Sequence, residues 1–561
     1  MNPPRGGSSP EPPTPAPIPL LSSAAVLILF ITAVPASGQS ADPRPSIPAA
    51  RAAEAPVIDG RLDDRAWQTA PPMDGFTQRE PIEGGTPSQP TRARVLFDDA
   101  GLYVAVWAYD AEPSRIIPGE TRRDVDLEQS DAISFVLDTF QDRQNGFVFG
   151  TTPAGIEFDG QVTREGQGAT GAVSARQQTG TGAGFNKNWD GSWSVATSVD
   201  EEGWYAEFFI PFSTLRYQDG DVQTWGLNLS RRIRRGNEEV FWSPIPRQFN
   251  LFRVSLAGSL DGLEPPRQRN AFITPYVRSS AERDFLASTD VDWEGAVGGD
   301  AKFTLTPSLA LDVTVNTDFA QVEVDDAQVN LTRFPLFVPE KRPFFLENAG
   351  TFAVGSAQSV ELFFSRRIGL QEGREVPILG GGRVTGRALG LNIGVLNIQT
   401  RATDVYDPSE GVEVPLAPNQ NFGAVRAFRE MGNRTRLGGI FVSRLNTDAL
   451  GSADEKDYNL TYGLDGRLGV GEYLTFDGFA AATETPGLSG DAFSYSLSAD
   501  YDSNLWRWGA AFSEVGDAFN PEVGFLSRSD YRFASLSLLR RVRFDDVDWF
   551  RELRPHVTYR E

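Results

Sequence analysis

A chain of 561 residues exceeds one ordinary hydrophobic core and reads as two or more large domains. With no cysteine and one histidine, His556, it excludes a disulfide framework, cysteine-ligated zinc, thiol catalysis and histidine-centred triads. The net charge of −23 sets a repelling field against DNA and RNA, so no nucleic acid is expected as a partner.

The chain opens with Arg5, an apolar run over residues 20–34 and the small-residue triplet Ala36, Ser37, Gly38, the layout of a secretory signal peptide over residues 1–38 cleaved after Gly38. The run falls short of the ~20 residues that cross a bilayer, which favours removal over a membrane anchor. Residues 39–54 are rich in Pro and Ala and read as a linker.

From residue 55 to 266, strand signals recur between Gly, Asp and Pro turns, at 92–97, 102–109, 132–138, 146–151, 156–162, 193–199, 204–211, 226–233 and 253–260. Many short strands with little helix predict an antiparallel β-sandwich. The run LYVAVWAY at 102–109 is apolar on both faces and predicts a central strand. Residues 63–70 predict a short capped helix whose Trp67 plugs one end of the sandwich.

Four stretches in order, APVIDGRLDDRAW at 55–67, FDDAGLYV at 97–104, SDAISFVLD at 130–138 and WYAEFFIP at 204–211, resemble the landmarks of family 9 carbohydrate-binding modules. The resemblance implies a sandwich that binds a polysaccharide or oligosaccharide through stacked Trp rings, often beside a structural calcium. Pyranose rings offer flat C–H faces to aromatic rings, while their hydroxyls need planar polar partners. Trp189 and Trp193, in NKNWDGSW at 186–193, and Trp242, in FWSPIPR at 241–247, are the candidate platforms, with Asn188, Arg122, Arg123 and Asp124 as hydroxyl partners. The same three Trp also fit a core. No cofactor is required; Asp98, Asp99, Asp110 and Glu112 supply hard oxygen ligands suited to calcium, and equally suit acidic hairpin turns.

From 267 to 561 the alternation becomes cleaner, one face apolar and one polar along each strand, as at 292–306, 309–316 and 494–501. Twelve to fourteen such strands, joined alternately by tight turns and longer acidic loops, predict an outer-membrane-type antiparallel β-barrel, because a bilayer leaves no water for open sheet edges. A soluble β-solenoid or second sandwich is the alternative. An inserted segment at 317–352 places prolines at 335, 339 and 343 among phenylalanines and cations, and reads as a plug, collar or lid.

That segment carries a second resemblance: TDFAQVE at 317–323, NLTRF at 330–334 and PEKRPFFLE at 339–347, with FNPEVGFL at 519–526, are similar to an uncharacterised, DUF5916-like bacterial family that joins a family-9-like sandwich to a barrel. The resemblance implies an all-β, exported protein of the bacterial outer membrane in contact with its lipid, and a chain that continues past residue 561, so a fragment or early stop is expected. The function expected is glycan capture or catabolism by carbohydrate binding. The alternatives are a glycoside hydrolase, which needs a carboxylate pair with Glu323, Glu340 and Glu347 as first candidates, and a gated pore whose sandwich is structural.

Overall fold

The apolar run at Gly101–Tyr109 forms the middle strand of a five-stranded sheet, between Gly203–Pro211 and Thr91–Phe97, with Ser194–Val199 and Ala50–Arg51 at the edges. Its two apolar faces meet two different cores. Leu102, Val104 and Val106 point into the sandwich, against Phe135, Leu137 and Leu229 of a nine-stranded sheet. Tyr103 and Ala105 point outward and are covered by Trp67.

The computed structural model describes residues 44–561 apart from 167–183, 188, 268–269, 283–290, 317–339, 341, 347, 357–358, 372–373, 408–411, 449–456, 545–549 and 551. The signal-like segment and most of the plug-like segment therefore lie outside the described residues.

Two local expectations are corrected. Arg65–Thr69 is a 3-10 turn whose Asp64 makes no side-chain cap bond, and Trp67 covers the outer face of the five-stranded sheet, not an end of the sandwich. Residues 46–51, read as linker, are strands: Ser46–Pro48 pairs in parallel with Gly258–Leu263, and Ala50–Arg51 with Thr91–Phe97. Edge positions tolerate proline, so composition alone could not separate a linker from an edge strand.

Beyond residue 270, thirteen strands from Ala271–Glu282 to His556–Arg560 form one sheet in which each neighbouring pair is antiparallel. Among the described residues its first and last strands do not pair with each other. Toward its tight-turn end the sheet turns charged residues inward and leucines outward. On Thr435–Asn446 and Tyr458–Val470, Arg436, Asp465 and Arg467 are buried, while Leu437, Leu464 and Leu468 are exposed, Leu464 by 67%.

The described part of the insertion packs on the inner face. The α-turn Pro343–Leu346, with proline at its tolerated first position, sets Phe344 and Phe345 beside Phe352, Val354 and Leu362, against Ile398, Phe422, Val442 and Phe479 of the sheet. Arg342, wholly buried, ties this segment together: it grips the Glu340 carboxylate through Nε and Nη2 at 2.8 and 2.7 Å, and donates to the carbonyls of Ile368 and Ser365.

The connections 307–308, 389–390, 432–434, 471–473 and 503–505 are tight and lie at one end of the strands; 316–377, 401–419, 447–457 and 516–530 lie at the other. The sandwich docks on the tight-turn end. Tyr217 N donates to Pro307 O at 3.3 Å, Arg253 Nη2 to Glu472 O at 2.9 Å, and Asn145 Nδ2 to Glu430 Oε1 at 2.7 Å.

Candidate functional site: a chamber between sandwich and sheet

Docking leaves a chamber of about 910 Å³ between the outer face of the nine-stranded sheet and the inner face of the long sheet. The sandwich wall carries three rings in a row. Phe158 stacks on Phe185 with centroids 6.1 Å apart, and Phe185 on Phe252 at 4.4 Å. Lys187 Nζ lies 5.9 Å from the Phe158 ring, and the Arg253 guanidinium 4.2 Å from that of Phe249.

The opposite wall is charged, because the polar parity of its strands faces inward. Arg467 Nε donates to Asp477 at 2.7 Å, and Arg436 Nη2 to Asp465 at 3.0 Å. Arg426 Nη2 reaches the other oxygen of Asp465 at 2.6 Å. From the sandwich side Arg253 pairs with Glu165 at 3.0 Å, and Arg434 stands 4.0 Å from the same carboxylate.

Between the walls runs a turn in which Arg164, Glu165 and Gly166 are successively left-handed, with φ of 54°, 56° and 69°. Two adjacent non-glycine residues in that region are sterically disfavoured and stand only where the surroundings fix them. Here the Glu165 carboxylate accepts from Ser255 N at 2.9 Å and pairs with Arg253, while a Cβ on Gly166 would meet Phe252 at 2.6 Å. Burial lowers the Arg164 guanidinium to about 9, and neighbouring Arg436 and Arg467 add to the fall.

The sequence-predicted platforms lie elsewhere. Trp189 and Trp193 are 7% exposed and Trp242 is 5% exposed, all within the sandwich core. Trp189 packs against Phe147 at 5.1 Å, and Trp193 stacks on Phe208 at 5.9 Å. The expectation of open stacking faces is corrected, because all three rings are buried in the core between the sheets. Asn188 lies outside the described residues. Arg122 is exposed and pairs with Glu120. Arg123 is held by Glu157, Asp159 and Asp190 at 2.9, 2.8 and 2.6 Å, and Asp124 accepts from Asp159 N at 3.4 Å, so this trio fastens loops together.

The calcium expectation is corrected as well, since each of the four acids is already engaged by protein donors. Asp98 accepts from the Ala100 and Gly101 amides and the Tyr103 hydroxyl. Asp99 pairs with Arg51, Asp110 with Arg235 through both oxygens, and Glu112 with Arg115 at 2.9 Å. Among the described residues no group of three or more acids or histidines is placed to hold a metal ion. Of the hydrolase candidates, Glu340 is committed to Arg342, and Glu323 and Glu347 lie outside the described residues.

The residues that line the chamber were not singled out from sequence. Arg436 and Arg467 sit on the polar parity of strong strands, and that parity is the one signal that could have found them.

Comparison with known proteins gives the following. The family model of a domain of unknown function, DUF5916, matches residues 266–406. No curated protein matches. Among solved structures, the chain is similar over part of its length to a family 9 carbohydrate-binding module from Caldicellulosiruptor kristjanssonii. In complex with glucose, the match has 16% identity, covers 39% of this chain and 95% of that one, and has a TM-score of 0.26. In complex with cellotriose, the shares are 40% and 95% at the same identity and TM-score. OccK1 (OpdK) of Pseudomonas aeruginosa matches at 9% identity over 77% of this chain and 92% of that one, with a TM-score of 0.18.

Proposed function

We propose that this chain is an exported outer-membrane protein that binds a saccharide in the chamber between its sandwich and its long sheet. The observation that carries the reading is the row Phe158, Phe185 and Phe252 on one wall, facing hydrogen-bonding side chains on the other. Aromatic rings take the C–H faces of sugars and charged groups take their hydroxyls, a combination that suits a ligand site of this size.

Membrane residence is supported by the outward leucines and phenylalanines of the strands, such as Leu437, Phe441, Leu464 and Leu468, opposite a charged inner face. Barrels of that kind keep short turns on the periplasmic side. The sandwich, docked on the tight-turn end, then faces the periplasm together with the chamber.

Isothermal titration of the full chain in detergent with a panel of neutral and acidic oligosaccharides, cellotriose among them, tests the proposal. At least one sugar is expected to bind, and Phe252→Ala to weaken it tenfold or more without loss of the folded sandwich. Failure of every sugar in the panel would overturn it. A second reading, a pore whose sandwich is a structural cap, draws on the burial of Trp189, Trp193 and Trp242.

A further inference from the structure

The chamber's charges are not evenly matched around the left-handed turn. Arg253 and Arg434 share the single carboxylate of Glu165, Arg426 and Arg436 share that of Asp465, and Arg467 has Asp477. Arg164 enters the same space with no carboxylate in ion-pair range among the described residues, and its backbone carbonyl accepts from Arg467 Nη1 at 3.4 Å. Glu472, Asp500 and Asp502 also line the chamber near this corner; Asp502 is paired with Arg541, and cations remain in excess around the turn. Donors are also left over: Arg436 Nε and Arg253 Nε are buried without an acceptor among the described residues.

We propose that Arg164, Arg436 and Arg467 form a binding site for an oxyanion, the carboxylate of a uronic-acid residue in the bound saccharide. Guanidinium groups are planar forks that match a carboxylate, and such charge-assisted bonds are the strong ones. The turn supplies the placement. Arg164 lies in a turn fixed through its neighbours, Glu165 by Ser255 and Arg253 and Gly166 by Phe252, and its side chain shares the chamber with Arg436 and Arg467, whose repulsion exceeds the pull of Asp477 and Asp465. An oxyanion between the three converts mutual repulsion into attraction and gives the buried Arg436 Nε an acceptor. Loops retain such conformations at ligand clamps.

The choice of a saccharide carboxylate rests on the saccharide reading above; the oxyanion site itself does not. Titration of the full chain in detergent with trigalacturonate, cellotriose and inorganic phosphate separates the two. Trigalacturonate is expected to bind more tightly than cellotriose, with affinity falling as salt is raised. Arg164→Asn, which suits a left-handed position, is expected to weaken it about ten- to a hundredfold, and Arg164→Lys to restore part of the loss. The melting midpoint of each variant shows that it is folded. Binding of phosphate alone, lost in Arg164→Asn, supports the oxyanion site and removes the saccharide. Equal affinity for trigalacturonate and cellotriose, both unmoved by Arg164→Asn, overturns the site and leaves saccharide binding standing. Absence of binding by either anion overturns it outright.

Discussion

The Asn145 side-chain amide donates to Glu430 Oε1 at 2.7 Å and to Asp142 Oδ2 at 3.0 Å, so one neutral group bridges two carboxylates that also meet each other where a sandwich loop reaches the end of a sheet strand. Asn392 completes the carboxylate's shell at 3.1 Å, and Arg387 stands 4.0 Å away. Docking at this point depends on a residue that donates twice without carrying charge.

Asn145→Asp replaces that donor with a third carboxylate. The contact is expected to lose roughly 1–3 kcal/mol, the cost of leaving buried polar groups unmatched. Hydrogen exchange over residues 141–146 and 430–434 is expected to speed up in the variant, and equal protection in both proteins would refute the assigned role. Asn145→Ala is expected to show a smaller effect, because it removes the donor without adding charge.

The three tryptophans offer a second test. Trp189 and Trp242 are packed between the sheets, so their replacement by alanine opens a cavity in the core. Each is expected to cost about 3–5 kcal/mol of stability, read as a lower denaturant midpoint. Saccharide affinity measured where the variant is still folded is expected to stay near that of the parent. A variant with unchanged stability and lost binding would restore the platform reading.

Short apolar runs bounded by turn residues were legible as strands: Ala132–Asp138 and Gly146–Thr151, buried on both faces, run between the residues that the sequence predicts. The all-β class followed from the same pattern. Other features are set by partners far along the chain. Trp189 sits in a turn-like motif whose direction depends on Phe147 and Phe149 across the core. The left-handed turn at 164–166 is held through Glu165 by Ser255 and Arg253 and through Gly166 by Phe252, none of them near it in sequence. The chamber could not be read for the same reason: its walls come from residues between 79 and 253, from 353–356 and from residues between 434 and 541, and only docking brings them together.

The buried pair Glu340 and Arg342 makes a third prediction. Both are shielded from solvent, at 2% and 0% exposed, and each satisfies the other through two hydrogen bonds. Arg342→Ala leaves a buried carboxylate without its cation, which is expected to cost about 3–5 kcal/mol. The double replacement Glu340→Gln with Arg342→Met is expected to cost less. Protease cleavage within residues 343–368 reads the release of the insertion from the sheet; a single variant as resistant as the parent would show that the pair does not anchor it.

Glu207 makes stability depend on pH. Its side chain is fully buried and accepts from Trp67 Nε1 at 2.9 Å, Gly60 N at 2.9 Å and Asp59 N at 3.1 Å. Burial raises its pKa from 4.5 to about 7, and the three donors only partly oppose that rise. The folded state therefore holds the proton more tightly than the unfolded chain. Stability from this group is full below the unfolded pKa of 4.5, falls as pH rises towards 7, and is lost above it. The slope is at most about 1.4 kcal/mol per pH unit. Glu207→Gln cannot ionise; its oxygen can keep the two backbone donors while its amide faces the indole N–H, so the variant is expected to be less stable at pH 5 and flat in this contribution. Other buried acids also titrate, and the difference between the two proteins isolates Glu207. Unfolding free energies measured by denaturant from pH 4.5 to 8 are expected to converge as pH rises; parallel curves would show that Glu207 is ionised throughout.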